Sequence, residues 1–132
     1  MASRLLVVED EPYIGLDLAD LAVSLGYEVI GPATNSTSAL AAASRRPPDL
    51  AIVDVNLTDG PTGPFVASHL ATSFGTQVLM VTANPELVVA GLGGVEAVLR
   101  KPYDILQLAE MLKQFSASRD AKGSLRLPGA AA

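Results

Sequence analysis

The 132-residue chain has no cysteine and no tryptophan, a single histidine, and aromatic side chains at only 5% of its positions. Without cysteine there is no disulfide framework, no zinc–thiolate site and no thiol nucleophile. A chain that needs no disulfides suits a reducing compartment. Charge is also scarce, at 17% of residues, and the 9 basic side chains are outnumbered by 14 acidic ones, for a formal net charge of −5. An acidic chain without a basic stripe is a poor direct binder of nucleic acid or of an anionic membrane. Long apolar runs are missing: none approaches the roughly 18 residues of a membrane span. The first run, Leu5–Val8, is broken by Glu9-Asp10-Glu11, too soon for a signal-peptide core. No glycine-rich phosphate loop follows that run, which argues against a nucleotide-binding protein. These absences leave a soluble, cytoplasmic protein with no membrane insertion and no direct nucleic-acid contact as the expectation.

What is present is a core. At 49% hydrophobic residues, a chain of this length buries one good core and suits one domain. Short apolar runs alternate with segments of helical period. Leu5–Val8, Tyr27–Ile30, Leu50–Val55, Val78–Val81 and Val95–Leu99 read as strands, the second closed by Gly31-Pro32. From Pro12, the residues Ile14, Leu18, Leu21 and Leu25 recur on one helical face, with Asp17 and Asp20 opposite and Gly26 as the stop. Asn35 or Ser36 caps a second helix carrying Leu40 and Ala43, ended by Pro47-Pro48. After a loop over Asp59–Pro64, a third helix points Val66, Leu70 and Phe74 inward. Asn84-Pro85 starts a short helix ending at Gly91–Gly94, and the last helix begins near Asp104 with Ile105, Leu108, Leu112 and Phe115 on one face. Beyond Ser116 the periodicity is lost. The expected division is therefore a domain over residues 1–116 and a flexible tail over 117–132.

Strands that are apolar without alternation belong to a parallel sheet covered on both faces. Five β/α units are too few for a closed barrel. The expected fold is α/β, a doubly wound five-stranded parallel sheet with helices on both faces, whose function sits at the carboxyl ends of the strands. The polar residues collect at those ends: Glu9 and Asp10 after the first strand, Asp54 at the end of the third, Thr82 at the end of the fourth and Lys101 after the fifth. Three carboxylates brought together repel one another unless a cation intervenes. Mg2+ suits carboxylate oxygens together with a phosphate ligand. A carboxylate beside such an ion, an ammonium and a hydroxyl is equipped to accept a phosphoryl group. His69, mid-helix and some distance in sequence from the acids, reads as an ordinary surface or partly buried histidine.

Four motifs carry a family resemblance: Val-Val-Glu9-Asp10-Glu11-Pro12, Val53-Asp54-Val55-Asn56-Leu57, Val81-Thr82-Ala83 and Lys101-Pro102-Tyr103. Each is weak alone. In this order, at the ends of these strands, they make the chain resemble the receiver domain of two-component response regulators, from Leu5 to Phe115, with the flavodoxin-like fold. The resemblance implies that Asp54 accepts the phosphoryl group. It also implies that Glu9, Asp10, Asp54 and the backbone carbonyl of Asn56 hold Mg2+. By the same likeness Thr82 and Ala83 meet the phosphoryl group, and Lys101 pairs with its oxygen in a loop set by a cis bond to Pro102. Val98 stands where many receivers carry a switch aromatic, and Thr58-Asp59-Gly60 replaces a common proline, as in a subgroup of stand-alone bacterial receivers with a Lys-Pro-Tyr ending. Without that ring, Tyr103 and the segment 84–94 are the remaining candidates for a state-dependent change.

The implied function is that of a single-domain response regulator. A sensor histidine kinase or histidine phosphotransfer protein would phosphorylate Asp54, and output would pass to a downstream protein or drain phosphoryl groups as a sink, from a monomer or weak dimer. It would not be an enzyme on other substrates. Two alternatives remain at this point: a small Mg2+-dependent phosphohydrolase with Asp54 as nucleophile, and a receiver-like scaffold. The first lacks a second carboxylate two residues after the nucleophile, where Asn56 stands.

Overall fold

The computed structural model of the chain describes residues 2–87 and 95–125. Five strands, β1 (Arg4–Val8), β2 (Glu28–Ala33), β3 (Leu50–Asp54), β4 (Gln77–Thr82) and β5 (Val95–Arg100), make one sheet in the order β2-β1-β3-β4-β5. Every pairing is parallel. The helices are α1 (Pro12–Ser24), α2 (Ser36–Arg45), α3 (Gly63–Phe74) and α4 (Ile105–Leu125), with a 3-10 turn at Pro85–Leu87. This is the doubly wound sheet the strand composition implies, and the chain reverses its winding direction between β1 and β3.

The two faces of the sheet sort by strand position. Leu5 and Val7 of β1 join Ile52 of β3, Leu79 and Val81 of β4 and Leu99 of β5 in a core closed by Leu18 and Ala22 of α1 and Leu108 and Leu112 of α4. The alternate residues Leu6, Val8, Ala51, Val53, Val78 and Met80 meet Ala39 and Ala43 of α2 and Val66, Ala67 and Leu70 of α3. Successive side chains of a strand point to opposite faces, so a strand apolar at every position needs helices on both sides. Asn35 caps α2: its side chain accepts the Ser38 amide at 2.7 Å, and the Asn35 amide donates in turn to the Ser38 hydroxyl oxygen. Tyr27, just before β2, ties the first half of α4 to the sheet by donating its phenol hydrogen to the Leu112 carbonyl at 2.7 Å.

Four boundaries differ from the sequence reading. Gly31-Pro32 does not close β2 but lies inside it, with a cis peptide bond and a register shift against β1. β2 is an edge strand, where a missing N–H costs no ladder bond. Gly31 has φ +89°, and a Cβ there would stand 2.8 Å from the Val7 carbonyl oxygen. Gly63 and Pro64 belong to α3 rather than to the preceding loop, because proline suits the first helical turn. The last helix runs on to Leu125, past the end of the apolar repeat. Alanine, arginine and lysine keep good helix propensity there, and no proline intervenes before Pro128. After Asn84 the described backbone is a single 3-10 turn. The expected helix end at Gly91–Gly94, and most of the switch segment expected over 84–94, lie outside the described residues.

Gly63 is the tightest point between helix and sheet. Its amide donates to the Val55 carbonyl at 2.9 Å, and a Cβ would overlap the Asp54 carbonyl oxygen and come within 2.7 Å of the Val55 Cα. The obstacle is backbone, which cannot rotate aside as a flexible side chain can. Gly63→Ala is expected to destabilise the domain by about 3 kcal/mol through this overpacking, measured as the shift in urea unfolding.

Candidate functional site: an acidic pocket at the switch point

The site forms where β1 and β3 end side by side. Pairing of Val8 with Val53 brings the residues after β1 level with the end of β3. Glu9 continues the sheet, donating its amide to the Ala33 carbonyl at 2.9 Å, and its side chain is 2% exposed. Asp54 ends an entirely buried strand and is itself 7% exposed. Two buried carboxylates without a cation would be costly. Lys101 supplies one, with Nζ 2.9 Å from Glu9 Oε1 and 2.8 Å from Asp54 Oδ2. The reach of that lysine is set by its backbone: β5 pairs with β4, and the Lys101 amide donates to the Thr82 carbonyl at 2.8 Å.

The remaining oxygens are satisfied locally. Glu9 Oε2 accepts the Glu11 amide at 3.1 Å, and Asp54 Oδ1 accepts the Asn56 amide at 3.3 Å. Asp10 is half-buried beside them, and one carboxylate oxygen from each of Glu9, Asp10 and Asp54 lies within 4.8 Å of the others. Thr82 is buried at the end of β4, and its hydroxyl oxygen accepts the Asn84 amide at 3.1 Å, leaving its own hydrogen for an acceptor. Ala83 is exposed; its carbonyl accepts a bond from the Arg100 guanidinium at 3.1 Å.

The structure thus brings Glu9, Asp10, Asp54, Asn56, Thr82 and Lys101 to one end of the sheet. The Lys101–Pro102 bond is cis. Pro102, Tyr103 and Ile14 of α1 line, with Lys101, a groove of about 320 Å³ beside the carboxylates. Val98 stands apart on the outer strand, 37% exposed. His69 is exposed on α3 between the rings of Phe65 and Phe74, away from the acids. One participant went unassigned in the sequence: Asp59, which accepts hydrogen bonds from Ser36 and Thr62. No local signal links it to Ser36, across 23 positions of chain.

The charges do not balance without a further cation, since three carboxylates face one ammonium. Burial pushes the Glu9 carboxyl up to about 7, against opposing hydrogen bonds from Lys101 and the Glu11 amide. For Lys101, burial alone would favour the neutral amine; the bonds to Asp54 and Glu9 outweigh it and hold the ammonium above the ordinary lysine range. Burial also raises the Tyr103 phenol. The donor set suits a hard divalent ion: oxygen ligands only, net negative, with a carbonyl at Asn56 that accepts no hydrogen bond among the described residues.

A doubly wound α/β domain with an acidic pocket at its switch point and a lysine and a threonine from the next strands is the class that this geometry defines. The chain belongs to the response regulator receiver domain family, whose model matches residues 5–113. It is 35% identical over 116 residues to the phyllosphere-induced regulator PhyR of Methylorubrum extorquens, covering 86% of this chain and 43% of that protein. It is also 35% identical over 108 residues to the transcriptional regulatory protein PdtaR of Mycobacterium tuberculosis, covering 80% of this chain and 52% of that one. The chain therefore spans about half the length of these curated relatives. Among solved structures, the receiver domain of PhyR from Erythrobacter litoralis superposes with a TM-score of 0.78 at 30% identity, covering 86% of this chain and 89% of that one. No helix among the described residues is long and apolar enough to cross a membrane.

The raised Glu9 carboxyl has a measurable consequence for stability. Between about 4.5, its value in the unfolded chain, and about 7, the folded metal-free protein keeps a proton that the unfolded chain has lost. The folded state then binds more protons, so stability falls as pH rises through this window and levels off above it. Glu9→Gln cannot lose that proton. Thermal melts from pH 4.5 to 8 are expected to show the wild type declining relative to Glu9→Gln up to about pH 7 and running parallel to it above.

Proposed function

We propose that the domain accepts a phosphoryl group on Asp54 from the phosphohistidine of a sensor histidine kinase or histidine phosphotransfer protein, with Mg2+ as the required cofactor. The observation that carries this reading is the Lys101 ammonium held between two buried carboxylates, 2.8 Å from Asp54 and 2.9 Å from Glu9. Glu9, Asp10, Asp54 and the Asn56 carbonyl would hold the ion. When bound, it supplies neutralising charge to the oxygens of the transferring group.

The chain's own residues do the rest. An Asp54 carboxylate oxygen attacks phosphorus, the phosphorus–nitrogen bond of the donor breaks, and the imidazole leaves with a proton from solvent. Lys101, already a hydrogen-bond donor at this spot, turns one of its N–H bonds from a carboxylate to a phosphoryl oxygen. Thr82, whose hydroxyl hydrogen is available, donates to another, which draws the end of β4 toward the acceptor. The groove lined by Ile14, Pro102 and Tyr103 gives the donor's imidazole an apolar approach beside Lys101. Output then passes by contact with a downstream protein or by removal of phosphoryl groups from a shared kinase. The phosphohydrolase alternative gains no support, since no carboxylate stands at Asn56 to act on a leaving group.

Incubating the chain with Mg2+ and acetyl phosphate, followed by intact-mass measurement, tests the assignment. One acid-labile phosphoryl group per chain is expected for the wild type and none for Asp54→Asn; equal incorporation in both would remove Asp54 from the role. Asp10→Ala is expected to weaken Mg2+ binding, read by calorimetric titration.

The lifetime of the product has its own determinants. Water attacks an acyl phosphate in line, and the side chains bordering that path set access. Asn56 and Asn84 are both exposed, each two residues beyond a site residue, and are polar without being basic. Replacing Asn84 by leucine is expected to prolong the phosphorylated state severalfold at unchanged Mg2+ affinity, measured as phosphoryl decay by intact mass.

A further inference from the structure

The segment after Asp54 is fastened to a part of the fold that takes no part in the pocket. Residues 55–62 turn back on themselves: Leu57 and Gly60 exchange amide-to-carbonyl bonds at 2.9 and 3.0 Å, and the Thr62 amide donates to the Gly60 carbonyl at 2.8 Å. That hairpin-like loop is then fixed from outside. The Thr58 amide and hydroxyl both donate to the Thr34 carbonyl, at 3.0 and 3.1 Å. The Asp59 carboxylate accepts the Ser36 amide at 3.1 Å and the Ser36 hydroxyl through Oδ2, and the Thr62 hydroxyl at 2.7 Å through Oδ1.

We propose that Asp59 is a positioning residue: by clamping this loop to the start of α2, it sets the backbone at Asn56 whose carbonyl completes the oxygen set with Glu9, Asp10 and Asp54. This rests on the divalent-ion reading of the pocket given above. Three observations favour a clamp over an incidental surface contact. Asp59 stands only three residues beyond Asn56, too short a span to absorb a shift. Its partners sit at two helix starts: Ser36 is the first residue of α2 and Thr62 precedes α3, where a carboxylate is favoured by the free amides and the helix dipole. The hydroxyl bonds from Ser36 and Thr62 also hold the Asp59 carboxyl below the usual range, so the ionised form is the one bound. Loosening one end of this arrangement frees the loop without touching any of the four oxygens.

The inference is tested by Mg2+ titration calorimetry on the full chain, comparing wild type with Asp59→Ala, Asp59→Asn and Ser36→Ala, below the melting temperature of each. Amide exchange at Asn56, whose N–H donates to Asp54 Oδ1, is followed by NMR without metal. Asp59→Ala is expected to raise the Mg2+ dissociation constant roughly tenfold, as for other residues that orient a metal ligand, and to speed Asn56 exchange. Asp59→Asn, which keeps one acceptor oxygen, should recover part of both, and Ser36→Ala should lose less than Asp59→Ala. Should Asp59→Ala not fold, Asp59→Asn and Ser36→Ala make the same comparison. Unchanged affinity and unchanged Asn56 exchange in folded variants overturn the proposal, as does a lowered melting temperature with wild-type Mg2+ affinity. A wild type that takes up no Mg2+ overturns the divalent-ion reading instead, and Asn56 exchange then decides the clamp alone.

Discussion

The site depends on one electrostatic constraint: Glu9 and Asp54 are carboxylates placed where the sheet is already dry. Their burial follows from the strands they extend, because β1 and β3 lie inside the sheet, Asp54 is the last residue of β3 and Glu9 the first after β1. A charge so placed must be paired, and Lys101 pairs both at once. One ammonium cannot balance three carboxylates, and burial leaves the Glu9 carboxyl raised to about 7 despite the lysine. The pocket therefore retains a deficit of positive charge, and that deficit suits it to a divalent cation. Lys101 itself is placed by the β4–β5 ladder, so the order of strands in the sheet determines the charge balance of the pocket.

The walls of the pocket differ in how they are held. On the β1 side, the Glu9 amide bonds to Ala33 beyond the kink at Gly31-Pro32, which lets β2 follow the end of β1. On the β3 side, Gly63 lies directly against the backbone of Asp54 and Val55, so α3 starts immediately behind the Asp54 carboxylate. The Asp59 clamp belongs to the same side and ties two helix starts to one loop. On the β4–β5 side, Thr82 pairs with Arg100 at the end of the ladder, and its carbonyl accepts the Lys101 amide. The β1 and β3 side carries the carboxylates, and the β4–β5 side carries Thr82 and Lys101. Val98 stands partly exposed on the outer strand, with no aromatic ring at its position.

Much of this was legible in the linear sequence, for a physical reason. Apolar runs without alternation, as in β1, β3 and β4, can be buried only between two helical layers. Helical spacing from Ile14 to Leu25 and from Leu108 to Phe115 identifies the faces that cover them. Ile105, expected on the same face, is exposed, and the outer strands β2 and β5 are only partly buried. Parallel strands joined through helices all end at the same side, so Glu9, Asp10, Asp54, Thr82 and Lys101 had to converge. Local patterns also narrowed the cap of α2 to Asn35 or Ser36, of which the structure uses Asn35, and marked a loop from Asp59, which ends at Thr62 rather than Pro64. These are short-range properties, written in neighbouring residues.

Tertiary structure alone decided the rest. Gly31-Pro32 reads locally as a strand end, yet it lies within β2, because the strand's place at the sheet edge removes the demand for an N–H. Ser116 and the residues after it show no apolar face, yet the helix continues to Leu125, since a helix already nucleated and packed through Leu108 and Leu112 extends through residues of fair propensity. The bonds of Asp59 to Ser36 and of Lys101 to Glu9 join positions 23 and 92 residues apart. Residue order alone determined which side chains arrive at the end of the sheet, because strand direction and hydrophobic period are local. Which of them touch, and which loop is held still, was decided only by packing between distant segments, where no neighbouring residue carries the signal.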